Sequence, residues 1–84
     1  MKILIVEDEI GIATFLKQGL EEEGYEIILA TNGQEGLAIA IAQKPDLILL
    51  DWMLPKLSGL EVCVSFREEN TITPIIFLTA KDTV

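Results

Sequence analysis

The sequence contains no histidine and only one cysteine, Cys63, among its 84 residues. Histidine and cysteine are the usual ligands of zinc, so neither a structural nor a catalytic zinc site is expected. A single cysteine has no partner for an internal disulfide, and nothing therefore indicates an oxidising compartment. We interpret Cys63 as a small core side chain rather than a reactive thiol.

Basic residues are also scarce, since six Lys and Arg stand against fourteen Asp and Glu, for a net charge of −8. Nucleic acids and anionic membranes are bound through Lys and Arg, so neither partner is expected. No apolar run is long enough to span a bilayer, and acids at positions 7–9 interrupt the N-terminal run where a signal peptide would continue. The sequence predicts one small cytoplasmic domain over residues 1–84.

Short apolar runs alternate with helical periodicities along the chain. The predicted strands are Lys2–Val6, Glu26–Ala30, Asp46–Leu50 and Ile75–Thr79. The predicted helices are Ile10–Glu23, Asn32–Gln43 and Gly59–Glu69. This βαβαβαβ order predicts an α/β fold with a parallel sheet and right-handed crossovers.

Two local patterns support the helices. Thr31 with Gln34, and Ser58 with Glu61, have the spacing of capping boxes at the start of the second and third helices. In the first helix, steps of three and four residues predict a single apolar stripe that faces the sheet. The members of this stripe are Ile12, Phe15, Leu16 and Leu20.

Acidic side chains follow two of the predicted strands. Glu7 and Asp8 come directly after the first strand, and Asp51 comes directly after the third. Open parallel sheets bind ligands at the carboxyl ends of their strands, so these acids meet at one edge if the two strands are neighbours. Two carboxylates ~4 Å apart repel by about 4 kcal/mol at an effective dielectric of ~20. A cluster of hard oxygen ligands of this kind predicts a Mg²⁺ site.

Simpler interpretations exist for some of these charges. Acids before a helix are also favoured by the helix macrodipole, and we place Glu9 in that class and outside the site. Lys56 is interpreted as a solvated charge. A phosphohydrolase with an aspartyl nucleophile would carry a second acid two residues after Asp51, where Met53 cannot transfer protons. A nucleotide-binding site is not expected, because no Gly-rich phosphate loop follows the first strand.

Three segments of the sequence resemble the receiver domain of two-component response regulators. They are Ile5-Val6-Glu7-Asp8-Glu9, Asp51 with Met53-Leu54-Pro55 and Ser58-Gly59, and Phe77-Leu78-Thr79-Ala80. The resemblance covers essentially the whole chain, in order and in spacing. It implies a flavodoxin-like sheet with the strand order 2-1-3-4. The Glu-Asp-Glu form of the first segment is similar to the subgroup that usually carries a winged-helix DNA-binding domain.

The resemblance also implies a function, in which a sensor histidine kinase transfers a phosphoryl group to Asp51 in the presence of Mg²⁺. Asp8 matches the direct metal ligand, and Glu7 matches the acid that acts mainly through a metal-bound water. Trp52 would supply a backbone carbonyl to the metal. Thr79 matches the switch hydroxyl, which would donate a hydrogen bond to the phosphoryl group. Such a domain is not an enzyme beyond Mg²⁺-dependent self-phosphorylation and dephosphorylation.

The family pattern includes a fifth strand that ends in a lysine, and Lys81 lies too close to Thr79 to match that lysine. We therefore expect a truncated receiver whose switching is impaired. Its fourth strand would be an open sheet edge, which favours a homodimer. The alternative is a structural or interaction fragment that self-associates and carries out no chemistry.

Overall fold

The computed structural model describes residues 1–70 and 72–78. The strands are Lys2–Val6 (β1), Glu26–Ala30 (β2), Leu47–Asp51 (β3) and Ile75–Leu78 (β4). The helices are Ile10–Glu22 (α1), Gly33–Gln43 (α2) and Gly59–Glu69 (α3). All paired strands are parallel, in the order β2-β1-β3-β4, which confirms the predicted flavodoxin-like α/β fold. In this part of the chain no helix is both long and apolar enough to cross a membrane.

The main core lies between one face of the sheet and the helices α2 and α3. Alternate residues of β1 and β3 point to this face because successive side chains of a strand point to opposite sides. The buried cluster consists of Leu4, Val6, Ala30, Ala40, Ile48, Leu50, Val62 and Phe66. Burial of each large apolar side chain stabilises the fold by about 1.5–3 kcal/mol. The two strands that carry the predicted acids are thereby held in the middle of the molecule.

The opposite face is covered less completely. Helix α1 packs against β1 and β2, and Ile3 and Ile5 beneath it are almost fully buried. Ile76 in β4 is 52% exposed on this face. The structure therefore contains an apolar surface over the β4 side of the sheet, within the described residues.

The capping box predicted at the start of α3 is confirmed. The Ser58 hydroxyl accepts a hydrogen bond from the Glu61 amide at 3.2 Å, and the Glu61 carboxylate accepts one from the Ser58 amide at 3.0 Å. These bonds satisfy amides that have no partner inside the helix. They fix the point at which the chain enters α3, directly after the loop that follows Asp51.

The capping box predicted for α2 is wrong by one residue. Asn32 is the N-cap, and its side chain accepts a hydrogen bond from the Glu35 amide at 2.8 Å. The Glu35 carboxylate in turn accepts a bond from the Thr31 amide at 2.9 Å. Asn is a stronger N-cap than Thr, and Glu35 is charged where Gln34 is not, so the structure uses the later pair.

The predicted apolar stripe of α1 is wrong for Phe15, which is 74% exposed. Ala13 is instead the buried residue of this helix, while Ile12 and Leu16 are half-buried. A small residue at the contact allows the helix to approach the sheet closely. A spacing of three and four residues defines a broad arc of the helix, and it does not fix which side of that arc faces inward.

Candidate metal and phosphoacceptor site

The register of the two central strands places the acids side by side. In the β1–β3 pair Val6 is aligned with Leu50, so the next residues, Glu7 and Asp51, follow at the same level. Asp51 is the last residue of β3 and is aligned with Leu78 of β4. The predicted strand, Asp46–Leu50, begins and ends one residue earlier than the strand in the structure, Leu47–Asp51. Asp51 is consequently fixed by the sheet and not by a loop.

Three carboxylates meet at this edge. One oxygen from each of Glu7, Asp8 and Asp51 lies within 4.8 Å of the others. Glu7 is 1% exposed and Asp51 is 6% exposed, whereas Asp8 faces solvent. The site therefore has two buried acids and one exposed acid at its mouth. Glu9 does not belong to the cluster, and it contributes its backbone amide to the site.

Glu7 is the most unusual of the three acids. Its Oε2 accepts a hydrogen bond from the Glu9 amide at 3.1 Å, while its Oε1 is buried without a hydrogen-bond partner among the described residues. Burial raises the pKa of Glu7 from 4.5 to about 7, the Glu9 amide opposes this rise, and the neighbouring Asp51 and Asp8 add to it. When protonated, Glu7 can donate a hydrogen bond toward Asp51. The cluster thus holds a proton near neutral pH.

The residues present fit a magnesium ion. Around an octahedral Mg²⁺ adjacent oxygens are ~3.0 Å apart and opposite oxygens ~4.2 Å apart, since each Mg–O bond is ~2.1 Å. The three carboxylate oxygens lie within 4.8 Å of one another, so pairs that become adjacent ligands need to approach by at most ~1.8 Å, which side-chain rotation can supply. The unpartnered Oε1 of Glu7 is an acceptor that a metal ion or a metal-bound water would satisfy.

The backbone carbonyl of Trp52, the predicted metal ligand, already accepts a hydrogen bond. Its carbonyl oxygen accepts a hydrogen bond from the Gly59 amide at 3.0 Å, which occupies one of its two lone pairs. The carbonyl of Met53 accepts no hydrogen bond from the described residues. The side chain of Trp52 is 46% exposed and meets Phe77 edge-on, with ring centroids 5.0 Å apart. Thr79, the predicted switch residue, lies outside the described residues.

Sequence reasoning missed two features of the site. The proton affinity of Glu7 depends on burial by residues far away in sequence, and no local pattern indicates it. The close packing of Gly33 and Gly59 against the loop 52–58 was also missed. A signal for it exists, because each glycine directly follows the N-cap residue of its helix, at a position where glycine has no capping role.

Comparison with known proteins gives consistent matches. A model of the response regulator receiver domain matches residues 3–84. The alkaline phosphatase synthesis transcriptional regulatory protein PhoP of Bacillus subtilis (strain 168) is 53% identical over 81 residues, which cover 96% of this chain and 34% of PhoP. The transcriptional regulatory protein PcoR of Escherichia coli is 49% identical over 83 residues, which cover 99% of this chain and 37% of PcoR. The chain spans about a third of the length of these curated relatives.

Solved structures agree with these matches. The response regulator TrrA from Thermotoga maritima, solved in complex with Mg²⁺-BeF, superimposes with a TM-score of 0.91 at 44% identity. The match covers 96% of this chain and 70% of the TrrA chain. The likeness therefore extends over almost the whole chain.

The raised pKa of Glu7 predicts a specific pH dependence of stability in metal-free protein. The folded protein holds the Glu7 proton between pH 4.5 and about 7, where the unfolded chain has lost it. The free energy of unfolding should therefore fall as pH rises through this interval, by on the order of 3 kcal/mol in total. In the Glu7→Gln variant the side chain stays neutral and this fall should be absent. Urea unfolding at a series of pH values, with EDTA present, measures the difference.

The control is Glu22→Gln, which removes the same formal charge from an exposed position at the end of α1. This variant should keep the pH dependence of the wild type. If Glu7→Gln shows the wild-type slope between pH 4.5 and 7, the assignment of a buried, proton-holding Glu7 is wrong.

Proposed function

The chain belongs to the response regulator receiver domain family, and from this we propose that Asp51 accepts a phosphoryl group from a sensor histidine kinase, with Mg²⁺ as cofactor. Receiver domains are signalling domains and not enzymes in the usual sense. The observation that carries the proposal is the position of Asp51, nearly buried at the end of β3 and within 4.8 Å of Glu7 and Asp8.

The reaction is a nucleophilic attack by one carboxylate oxygen of Asp51 on phosphorus. The new O–P bond forms as the P–N bond of the phosphohistidine breaks, and the electron pair leaves with the imidazole. The Trp52 amide donates to the Leu78 carbonyl at 3.3 Å, directly beyond Asp51. Because β3 is paired on both sides, the attacking oxygen is held in place, and phosphoryl transfer depends mainly on such positioning.

We assign the metal to the same edge. Asp8 and Asp51 would bind it directly, Glu7 would bind it mainly through water, and a backbone carbonyl would complete the protein ligands. Trp52 is the carbonyl predicted from the sequence, and the Met53 carbonyl, which accepts no bond from the described residues, is the alternative in this structure. When bound, Mg²⁺ supplies the positive charge that offsets the crowded carboxylates and the phosphoryl oxygens.

Several finer statements belong to this proposal. Thr79 would donate its hydroxyl to the phosphoryl group after transfer. The impaired switching expected from the sequence stays a prediction. PhoP and PcoR are named as transcriptional regulatory proteins, and we propose that phosphorylation of Asp51 serves to control transcription. The place of action would be the cytoplasm, where a kinase delivers phosphoryl groups.

A second candidate function is self-association without chemistry. Strand β4 is at the edge of the described sheet, and Ile76 within it is 52% exposed. An edge strand with exposed apolar side chains can pair with a second copy of the chain. This candidate would explain the apolar surface beside β4 and makes no use of the acidic cluster.

Phosphorylation tests the first candidate. Acetyl phosphate with Mg²⁺ should add one phosphoryl group to the wild-type protein and none to Asp51→Asn, because the amide cannot act as the nucleophile. Intact-mass spectrometry measures the addition. An autophosphorylated histidine kinase from the source organism should transfer its label with the same dependence on Asp51.

Asp46→Asn is the matched control, since Asp46 precedes β3 at its other end and accepts a bond from the Lys2 amide at 2.8 Å. This variant should be phosphorylated like the wild type. Equal labelling of Asp51→Asn and the wild type would overturn the assignment of the acceptor.

The effect of Mg²⁺ on thermal stability distinguishes the phosphoacceptor function from self-association without chemistry. Binding to the folded state should raise the melting temperature of the wild type, with about 1.4 kcal/mol of added stability for each tenfold excess of Mg²⁺ over its dissociation constant. Asp8→Asn should be more stable than the wild type without metal, because one like charge is gone, and its response to Mg²⁺ should be far smaller. Calorimetry at constant ionic strength, adjusted with NaCl, excludes simple screening. A flat wild-type response would favour the non-catalytic candidate.

Solution mass tests self-association. If β4 pairs with a second copy, light scattering should give the mass of a dimer at micromolar concentration, and Ile76→Lys should shift it to a monomer because a charge at the edge opposes pairing. Phe15→Lys, at a still more exposed position on α1, 74% against 52% for Ile76, should remain dimeric. A monomeric wild type contradicts this candidate.

A further inference from the structure

Gly33, the first residue of α2, lies directly against the backbone of the loop between β3 and α3. A Cβ atom at this position would overlap the carbonyl oxygen of Leu57 and lie 2.9 Å from its carbonyl carbon. It would also lie 2.8 Å from the Val62 Cγ2 atom. The closest obstacle is backbone and not the end of a flexible side chain. Glycine is therefore required if the loop is to keep its position.

The loop itself is closed and strained. At its base the Gly59 amide donates to the Trp52 carbonyl at 3.0 Å. Near its tip the Leu57 amide donates to the Pro55 carbonyl at 2.8 Å, across Lys56, whose φ is +70°. This three-residue turn with a positive central φ is a rare and strained form, and a non-glycine residue in it costs on the order of 1–3 kcal/mol. Such strain persists only where neighbouring structure determines the conformation.

We propose that Gly33 is a positioning residue for the site at Asp51, a role that depends on the function proposed above. Of the two glycines in α2, Gly33 is the one at which a Cβ would meet the loop backbone, since a Cβ at Gly36 would meet the side chain of Val6. The loop begins at the residue after Asp51 and carries both candidate carbonyl ligands, those of Trp52 and Met53. A side chain at position 33 would move Leu57, and the movement would be passed to Asp51 along the short backbone segment between the two residues, which the hydrogen bond from the Gly59 amide to the Trp52 carbonyl closes into a loop.

Gly59 supports this interpretation from the other side of the loop. A Cβ at Gly59 would overlap the Asp51 carbonyl oxygen and lie 2.9 Å from the Trp52 Cα atom. The segment that follows the phosphoacceptor is thus held between two helix starts, α2 at Leu57 and α3 at Asp51. The atoms nearest to a Cβ at Gly59 are all backbone, and the nearest at Gly33 is a backbone carbonyl oxygen, so each glycine acts through the backbone that it contacts.

The test measures metal affinity separately from stability. Trp52 is the only tryptophan of the chain and adjoins Asp51, so its fluorescence can follow titration with Mg²⁺ and then with beryllofluoride. Gly33→Ala should remain folded by circular dichroism and should bind Mg²⁺ at least about fivefold more weakly, since a misplacement of ~1 Å in a site can cost up to ~100-fold. Unchanged Mg²⁺ affinity in folded Gly33→Ala would overturn the inference.

Ala40→Gly is the control for a purely structural effect. Ala40 is buried in the same helix, away from the loop, and its replacement by glycine costs about 1 kcal/mol in helix stability alone. This variant should lower the melting temperature and bind Mg²⁺ within about twofold of the wild type, because the loop is untouched. An equal loss of affinity in Ala40→Gly would show that stability, and not position, is responsible.

If Gly33→Ala does not fold, the double variant with Lys56→Gly replaces it, because glycine relieves the strain at φ +70° and lets the loop accept the Cβ. The double variant should fold yet bind Mg²⁺ weakly, and wild-type affinity in it would contradict the inference. Failure of the proposed function is distinguishable, since the wild type itself would then show no response to Mg²⁺.

Discussion

Crowding of like charges at the ends of β1 and β3 is the constraint on which the rest of this structure depends. The alignment of Val6 with Leu50 leaves Glu7 and Asp51 no freedom to separate, and Asp8 adds a third carboxylate within 4.8 Å. The free energy of this arrangement is unfavourable unless a proton or a cation offsets the charge. Burial first, and then the charges of Asp51 and Asp8, raise the pKa of Glu7 to about 7, which favours a proton on this side chain when no metal is bound. Stability, its pH dependence and the proposed metal binding are therefore linked through the same three carboxylates.

The core explains how the fold tolerates such a site. β1 and β3 are the inner strands of the sheet, and Leu4, Val6, Ile48 and Leu50 are almost completely buried. Their apolar contacts with α2 and α3 give the sheet enough stability to hold ionisable groups at its edge. Removing the crowding would stabilise the metal-free protein and would remove the site at the same time. This opposition between stability and activity is expected wherever function needs an unfavourable cluster.

The elements that the sequence predicts well are those determined by residues within or next to the element itself. Ser58 and Glu61 fix the start of α3 through their own backbone, and the apolar run before Asp51 needs only its composition to indicate a central strand. The errors come from choices that tertiary structure makes. Rotation of α1 exposes Phe15 and buries Ala13, and Asn32 replaces Thr31 as the cap of α2. The acids of the site were found because strand ends are visible in sequence, whereas the protonation of Glu7 depends on neighbours that are not.

The glycines at the starts of α2 and α3 owe their importance to contacts that no local sequence pattern indicates. Gly33 and Gly59 occupy the same helical position, yet their importance comes from backbone atoms of Leu57 and Asp51, which lie 24 and 8 residues away. The side chain of Trp52, in contrast, packs on Phe77 and stays half-exposed, so it does not determine where its own carbonyl lies. The position of the loop backbone is thus determined by contacts with the two glycines, Gly33 and Gly59. A site of this design can change the chemistry around its mouth, at Trp52 or Met53, while the backbone beneath it is kept in place by two close contacts.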